Sequence, residues 1–191
     1  MTGQETGEEL RADARRNREA LLAVARAAFA EEGTDASLRE IARRAGVGIG
    51  TLYRHFPTRE ALLEAALRDG LESLRAAADD SLDAESPIEA LAAWLERFSA
   101  RSSAWCGLPR SVLTALHSEK SELHATSAAM VDAATRLLVR AQEAGEVRAD
   151  VEPEDLFAAA AAIGWVAENA DPGRAARILT LLRDGLRPVD G

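Results

Sequence analysis

The sequence predicts an all-α protein in which an N-terminal three-helix head is followed by an antiparallel helical body. Apolar residues recur at helical spacing along most of the chain, and no segment shows the period of two that marks a strand. Gly, Pro and capping residues stand where helices would start and stop. The 191 residues suffice to bury a core. These observations divide the chain into a mobile arm at 1–15, a head at 16–60 and a body at 61–191.

The first helix is predicted from about Arg16 to Glu32. Leu21, Ala25 and Phe29 form its apolar stripe, and Gly33 ends it. The residues before this helix are polar and charged and include two glycines, which favours a mobile arm.

The stretch from Ser37 to Phe56 is typical of two short helices joined by a glycine turn. Ser37 and Glu40 have the spacing of a capping box, in which the hydroxyl and the carboxylate each accept a hydrogen bond from a free amide at a helix start. Gly46 is free to take a positive φ and ends this helix. The predicted apolar face comprises Leu38, Ile41, Ala42 and Ala45.

The second short helix is predicted from Thr51 to Phe56. Leu52 and Phe56 are four residues apart and face inward, which leaves polar side chains such as Tyr53, Arg54 and His55 outside. A short scaffold helix, a turn containing glycine and a second helix with a polar face form a helix-turn-helix, whose second helix enters the major groove of DNA.

This motif resembles the N-terminal signature of the TetR family of bacterial one-component regulators. The similarity covers about residues 16–64, and it departs from the family at Arg59, where lysine is usual, and at Gly48-Ile49, where small polar residues are common. The resemblance implies phosphate contacts from Tyr53 and His55 and dimerisation through the last two long helices as a four-helix bundle. The residues that match are Ile41-Ala42, Ala45-Gly46-Val47, Gly50-Thr51-Leu52-Tyr53, His55-Phe56, Arg59 and Leu62-Leu63.

We predict that this region contacts double-stranded DNA. Two alternatives stay open: Tyr53 and His55 as half-buried rings, and Arg39, Arg43 and Arg44 as a merely solvated face. The predicted DNA-binding residues are Ser37, Arg39, Arg44, Gly48, Ile49, Gly50, Thr51, Tyr53, Arg54, His55 and Arg59.

Charge is distributed unevenly between head and body. The whole chain carries a net charge of −9, yet residues 1–60 hold ten basic and ten acidic residues. Residues 37–60 contain five Arg against two Glu. A local positive balance suits binding to phosphate, and an acidic body would confine DNA contact to the head.

Six helices are predicted after the motif. The sharpest start is Ser86-Pro87-Ile88-Glu89, which combines a capping box with proline at the first helical position. The predicted helices run from Thr58 to about Leu82, from Ser86 to about Ser102, from Pro109 to about His117, from Ser121 to Ala144, from Pro153 to Glu168, and onward from Asp171-Pro172.

The last two helices are predicted to form the pairing surface of a homodimer. Five alanines at 158–162 and then Gly164 would let helix axes approach closely. A helix-turn-helix also favours a dimer, because one recognition helix covers few base pairs and such operators are palindromic. An ordinary internal helix pair is the alternative. The predicted interface is Phe157, Ala158, Ala161, Ala162, Trp165, Ile178, Leu182 and Leu186.

The body is also expected to hold an apolar cavity for a small-molecule effector. All three tryptophans lie in the body, and ligand pockets are mostly apolar with a few polar groups. Plain core packing is the alternative for each of these residues. The predicted lining is Trp94, Phe98, Trp105, Leu108, Leu113, His117, Met130, Leu137 and Trp165.

Other classes of protein find little support. Cys106 is the sole cysteine, which excludes an internal disulfide and favours a reducing, cytoplasmic setting. His117 and His124 do not complete a metal site, so neither metal nor cofactor is expected. The longest strongly apolar stretch, 156–167, is too short to span a bilayer, and no signal sequence is visible.

The sequence therefore predicts a dimeric regulator of transcription that binds a palindromic operator and releases it when an effector occupies the body. Repression, as opposed to activation, follows from the family resemblance alone. Catalysis is not expected, since no G-x-S-x-G, H-E-x-x-H or phosphate-loop motif occurs. Besides an enzyme, the other alternative is a DNA-binding protein that has no effector and is controlled by a protein partner. A body core without a cavity would favour that alternative.

Overall fold

The fold is built from helices joined by short connections. The computed structural model describes the backbone of residues 2–102 and 108–188, and the side chains in these ranges from residue 12 on, apart from that of residue 172. No strand occurs within these ranges, which agrees with the all-α class. The helices are α1 (Thr2–Glu32), α2 (Leu38–Arg44), α3 (Ile49–His55), α4 (Arg59–Asp80), α5 (Pro87–Ser102), α6 (Arg110–His117), α7 (Glu122–Glu143), α8 (Pro153–Asn169) and α9 (Pro172–Gly185).

Helix α1 begins much earlier than the sequence predicts. The predicted start lies near Arg16, whereas the helix runs from Thr2 through the proposed arm. Exposed ion pairs, Arg16 with Asp13 and Arg15 with Glu19, join helix turns on the two sides of the predicted start. Glycine inside an exposed helix costs about 1 kcal/mol relative to alanine, which neighbouring favourable residues can offset.

The head consists of α1, α2 and α3 packed around a small apolar core. Leu21 and Ala25 of α1 and Leu52 of α3 are fully buried there, and Ile41 of α2 joins them. The guanidinium of Arg18 lies over the Phe56 ring, 5.6 Å from its centroid. Such cation–π contact adds a further link between α1 and the end of α3.

Helix α4 connects the head with the body. It packs on α1 in the head and on α7, α5 and α6 in the body, while α5 packs on α7 and α8, and α8 packs on α9. One face of α4 is buried along its length, from Leu62 through Leu71 to Ala78. A shift of the body against α4 would therefore reach the head through a continuous helix. Within the described residues, no helix has the length and apolarity needed to cross a bilayer.

A glycine allows α5 and α8 to cross closely. A Cβ on Gly164 would overlap the carbonyl oxygen of Ser99 and the Oγ of Ser102, so only glycine fits this crossing. The Oγ of Ser102 donates a hydrogen bond to the Ser99 carbonyl at 3.0 Å. Gly164 therefore faces α5, and Ala160 is fully buried, so neither lies on the outer pairing surface that the small residues of α8 were expected to form.

The start of α5 is capped from another part of the chain. The Ile88 amide donates to Oε2 of Glu146 at 2.8 Å, and Glu146 lies in the connection between α7 and α8. Glu89, the expected partner in the capping box, instead pairs with Arg183 and Arg187 at 3.6 Å each. The predicted helix start is confirmed, but its capping group is supplied by tertiary structure.

Candidate nucleic-acid interface

The turn between α2 and α3 has the geometry that the sequence predicts. Gly46 has a φ of +71°, a conformation that favours glycine. Its amide donates to the Arg43 carbonyl at 3.1 Å, and the Val47 amide donates to the Ala42 carbonyl at 3.0 Å. These bonds satisfy the last carbonyls of α2 and turn the chain toward α3.

The capping box at the start of α2 is only half formed. Oγ of Ser37 accepts a hydrogen bond from the Glu40 amide at 3.4 Å. The Glu40 carboxylate accepts from Arg43 at 2.8 and 2.7 Å and from Arg44 at 3.0 Å. Hydrogen bonds from Arg43 and then Arg44 lower the pKa of Glu40 to about 2. Charge-assisted hydrogen bonds thus hold the Glu40 carboxylate against Arg43 and Arg44, and it does not complete the capping box.

Most arginines of α2 are bound within the protein. Arg44 also pairs with Glu31 at 3.3 Å and Glu32 at 3.1 Å, which joins α2 to the end of α1. Among the described residues, Arg39 is the α2 arginine whose exposed side chain has neither an ion pair nor a hydrogen bond. Arg39 is therefore the α2 cation most accessible to a DNA phosphate.

Helix α3 buries one side and exposes the other. Leu52 is fully buried and Phe56 is 3% exposed, whereas Tyr53 is 48% exposed and Arg54 points to solvent. Nη2 of Arg54 donates to Oγ1 of Thr51 at 2.8 Å, which aligns two polar groups on the outer face. The amphipathic pattern read from the sequence is confirmed.

The remaining α3 candidates divide between surface and core. Gly48 and Gly50 are exposed and His55 is half-buried. Ile49 is also half-buried, but it packs against the head core, which leaves only part of its side chain for a DNA contact. The outer face of α3 can therefore donate and accept hydrogen bonds toward base edges and phosphates.

Arg59 has partners that sequence reasoning missed. Its Nη1 donates to the carbonyls of Thr34 at 3.0 Å and of Ala36 at 2.6 Å. These carbonyls lie between α1 and α2, so Arg59 joins the start of α4 to that connection. The side chain was expected to bind DNA, and this geometry favours a structural role instead. Nothing in the local sequence signals it, because the partners are backbone atoms more than twenty residues away.

The structure does not gather the predicted ligand-binding residues around one cavity. Trp94 and Phe98 lie in the body core, where their rings stack at 5.4 Å and meet Phe157 at 5.9 and 5.4 Å. Nε1 of Trp94 donates to the Leu74 carbonyl at 2.9 Å. The gap beside these rings measures about 10 Å³, close to the minimum for one water.

The other predicted lining residues are dispersed. Met130 and Leu137 are buried core residues, whereas Leu113 is exposed on α6. His117 borders an open groove between α6 and α7, and its Nδ1 lies 2.7 Å from the Leu113 carbonyl oxygen. Leu108 lines a separate cleft against α1 and α4. Trp105 falls outside the described residues.

The predicted dimer residues fall into two groups. On α8, Ala158, Ala161, Ala162 and Trp165 are exposed, with Trp165 at 55%. The others are less exposed: Phe157 belongs to the ring cluster, Leu186 is buried, and Ile178 and Leu182 are half-buried.

Leu181 is 70% exposed on α9 and was missed. Two residues of the α9 stripe that was expected at the interface, Leu182 and Leu186, pack against the body core instead, because a helix of 3.6 residues per turn presents the intervening positions on its other side.

Comparison with known proteins identifies both parts of the chain. Residues 21–66 match the bacterial regulatory proteins of the tetR family, and residues 86–188 match the SbtR-like C-terminal domain of transcriptional regulators. The TetR transcriptional regulator SCO0520 from Streptomyces coelicolor is 42% identical, with 91% of this chain and 99% of that chain covered and a TM-score of 0.74. A TetR regulatory protein from Mycobacterium vanbaalenii is 39% identical over 94% and 99% of the two chains, with a TM-score of 0.65.

A curated relative matches over the head alone. The HTH-type transcriptional repressor KstR2 from Mycolicibacterium smegmatis is 42% identical over 76 residues, which are 39% of this chain and 37% of that protein. The likeness to SCO0520, in contrast, extends over head and body together. The chain therefore belongs to the TetR family of transcriptional regulators, and it is a DNA-binding regulator with an N-terminal helix-turn-helix.

Proposed function

We propose that the protein is a homodimeric repressor that binds a palindromic operator through α3 and releases it when a small molecule binds. The observation that carries this proposal is the combination, on one chain, of an exposed polar face on α3 and an exposed apolar face on α8 and α9. The name of KstR2 supports repression, as a property of that protein.

Dimerisation is supported by the apolar residues that α8 and α9 expose to solvent. Trp165 and Leu181 are large apolar side chains at the surface, and the alanines of the outer α8 face present a flat surface between helices. Exposed apolar patches of this kind mark interaction sites. Two copies joined there would carry two α3 helices, as a palindromic operator requires.

Two observations bear on control by a small molecule. The filled ring cluster at Trp94 favours the alternative in which no effector binds and a protein partner exerts control. A cleft of about 330 Å³ between α1, α4 and α5 favours an effector instead. The cleft carries more weight, because its walls belong to both head and body and its size is that of a small-ligand pocket.

The test begins with DNA selected from a random pool by the purified full-length protein. We expect palindromic sequences, bound by two chains per site. Replacing Tyr53 and Arg54 together by alanine should weaken binding by tenfold or more, since each well-made base or phosphate contact contributes about 1–3 kcal/mol. Arg97→Ala, at an exposed site on α5, is the matched control and should bind normally. Selection of sites without symmetry, bound by one chain, would overturn the proposal.

A further inference from the structure

An apolar cleft lies where the head meets the body. It is bounded by Phe29 of α1, by Leu63, Leu67 and Gly70 of α4, and by Leu108 and Arg101 beyond them, and we name it the hinge cleft. Its volume is about 330 Å³, at the small end of the range for ligand sites. The predicted effector cavity was placed deeper in the body, and no residue of the ring cluster lines this cleft.

The charged groups of the hinge cleft are two arginines. Arg26, on α1, is paired with the Asp69 carboxylate. Arg101, at the end of α5, has no such carboxylate within the described chain, and its Nη1 donates only to the Gly70 carbonyl at a long 3.3 Å. Partial burial, and then the nearby charges of Arg26 and Arg97, lower the pKa of Arg101.

An anion is the group that this arrangement lacks. A guanidinium that lies near other cations and has no carboxylate partner gains most from a carboxylate, which can accept two parallel hydrogen bonds. The rest of the lining is apolar and suits a hydrocarbon or ring system. A neutral ligand would leave the positive charge of Arg101 without a counter-ion, and a cationic ligand would be repelled.

We infer that the hinge cleft binds a small amphiphile with a carboxylate head, held by Arg101, and with an apolar part along Phe29, Leu63 and Leu67. The inference rests on the proposed function and names the effector class. The walls of the cleft belong to α1 on one side and to α4 and α5 on the other. A ligand there acts as a wedge between head and body, and it lowers DNA affinity to the extent that it prefers one angle between them.

Binding is tested by calorimetry with the full-length protein and no DNA. The probe is decanoate below its micelle concentration, compared with decanol and decyltrimethylammonium. We expect decanoate to bind at least about tenfold more tightly than either, the scale of one charge-assisted contact. Arg101→Met should remove that preference. Arg174→Met removes an exposed charge from α9, outside the cleft, and should retain it.

A second pair of variants tests the location. Gly70→Leu places a side chain in the cleft, where a Cβ meets nothing within 4 Å, so the fold should tolerate the change while decanoate binding is lost. Gly70→Ala should bind nearly as the natural protein does. Equal binding of decanoate and decanol, or decanoate binding that Arg101→Met and Gly70→Leu leave unchanged, would overturn the inference.

Coupling is then measured with the selected DNA. Decanoate at saturation should weaken DNA binding by roughly 5- to 150-fold, the usual range of coupling between two sites, and DNA should weaken decanoate binding by the same factor. Decanoate binding without any such change would overturn the effector role. A protein that selects no DNA, yet binds decanoate through Arg101, would count against the proposed function and not against the site.

Discussion

At the scale of single residues, the charges of the head are largely occupied within the protein. Arg43 and Arg44 bind Glu40, and Arg59 binds two backbone carbonyls. A position near a DNA-reading helix is therefore not enough to show that a basic side chain binds phosphate. Arg39 and Arg54 have the exposure that such a role requires. Direct contact of each with DNA remains a prediction.

Replacing Arg59 distinguishes its two possible roles. Arg59→Met should lower the free energy of unfolding by about 1–3 kcal/mol, because it deprives two carbonyls of a charged donor. Urea unfolding measures this loss. Arg39→Met is the control and should change stability by less than about 0.5 kcal/mol, as exposed substitutions do.

The salt dependence of DNA binding gives the complementary readout. A phosphate contact by Arg59 would lower the slope of log K against log salt by roughly one in the variant. An unchanged stability together with that lowered slope would show that Arg59 serves DNA and not the head.

At the scale of elements, α8 has two faces, one packed within the protein and one exposed, and they call for small residues for different reasons. Leu156, Ala160, Ile163 and Gly164 are buried, and the closest approach is that of Gly164 to α5. Ala158, Ala161 and Ala162 are exposed. Small residues are therefore needed on the inner face for packing within the protomer, and the outer face remains available to a second copy.

The α5–α8 crossing should be sensitive to a single methyl group. Gly164→Ala should destabilise the protein by about 1–3 kcal/mol, because the added Cβ overlaps Ser99 and Ser102 and the two helices must separate. Gly70→Ala, also within a helix but with open space at its Cβ, should gain roughly 0.5–1 kcal/mol. Thermal unfolding of the two variants provides the comparison, and equal effects would show that the crossing is not closely packed.

At the scale of the whole molecule, α4 spans the head and the body, and the hinge cleft lies on the same junction. The outer face of α8 and α9 lies apart from the DNA-reading helix, in a different domain. The proposed surfaces for DNA reading, effector binding and dimerisation are thus separate. We therefore expect that a substitution on one surface leaves the other two folded.

The pairing surface is tested with Ala161→Glu and Leu181→Glu. Both positions are exposed in the single chain, so each variant should fold normally, while a charge buried without a partner should prevent dimerisation. Sedimentation should show monomers, and affinity for palindromic DNA should fall with dimerisation. Val139→Glu, at an exposed apolar residue on α7, is the control and should remain dimeric. Intact dimers of both test variants would place the interface elsewhere.

The sequence by itself determined the class, the helix-turn-helix and most helix boundaries after α1. These features depend on residues within one or two helical turns of each other. Examples are the apolar pattern around Leu52, a glycine at position 46, which adopts a positive φ, and the proline at the start of α5. Tertiary structure alone decided which residues those helices bury, that Glu146 caps α5, and that Arg59 binds the α1–α2 connection.

The same limit explains the residues that were assigned to the wrong face and the cleft that was not foreseen. Spacing shows that α9 has an apolar stripe, but only packing shows that Leu186 faces inward and Leu181 outward. The hinge cleft joins residues of α1, α4 and α5 that are far apart in the chain. No local pattern links them, because a cavity arises from how packed helices fail to fill the space between them, which is a property of the assembled fold.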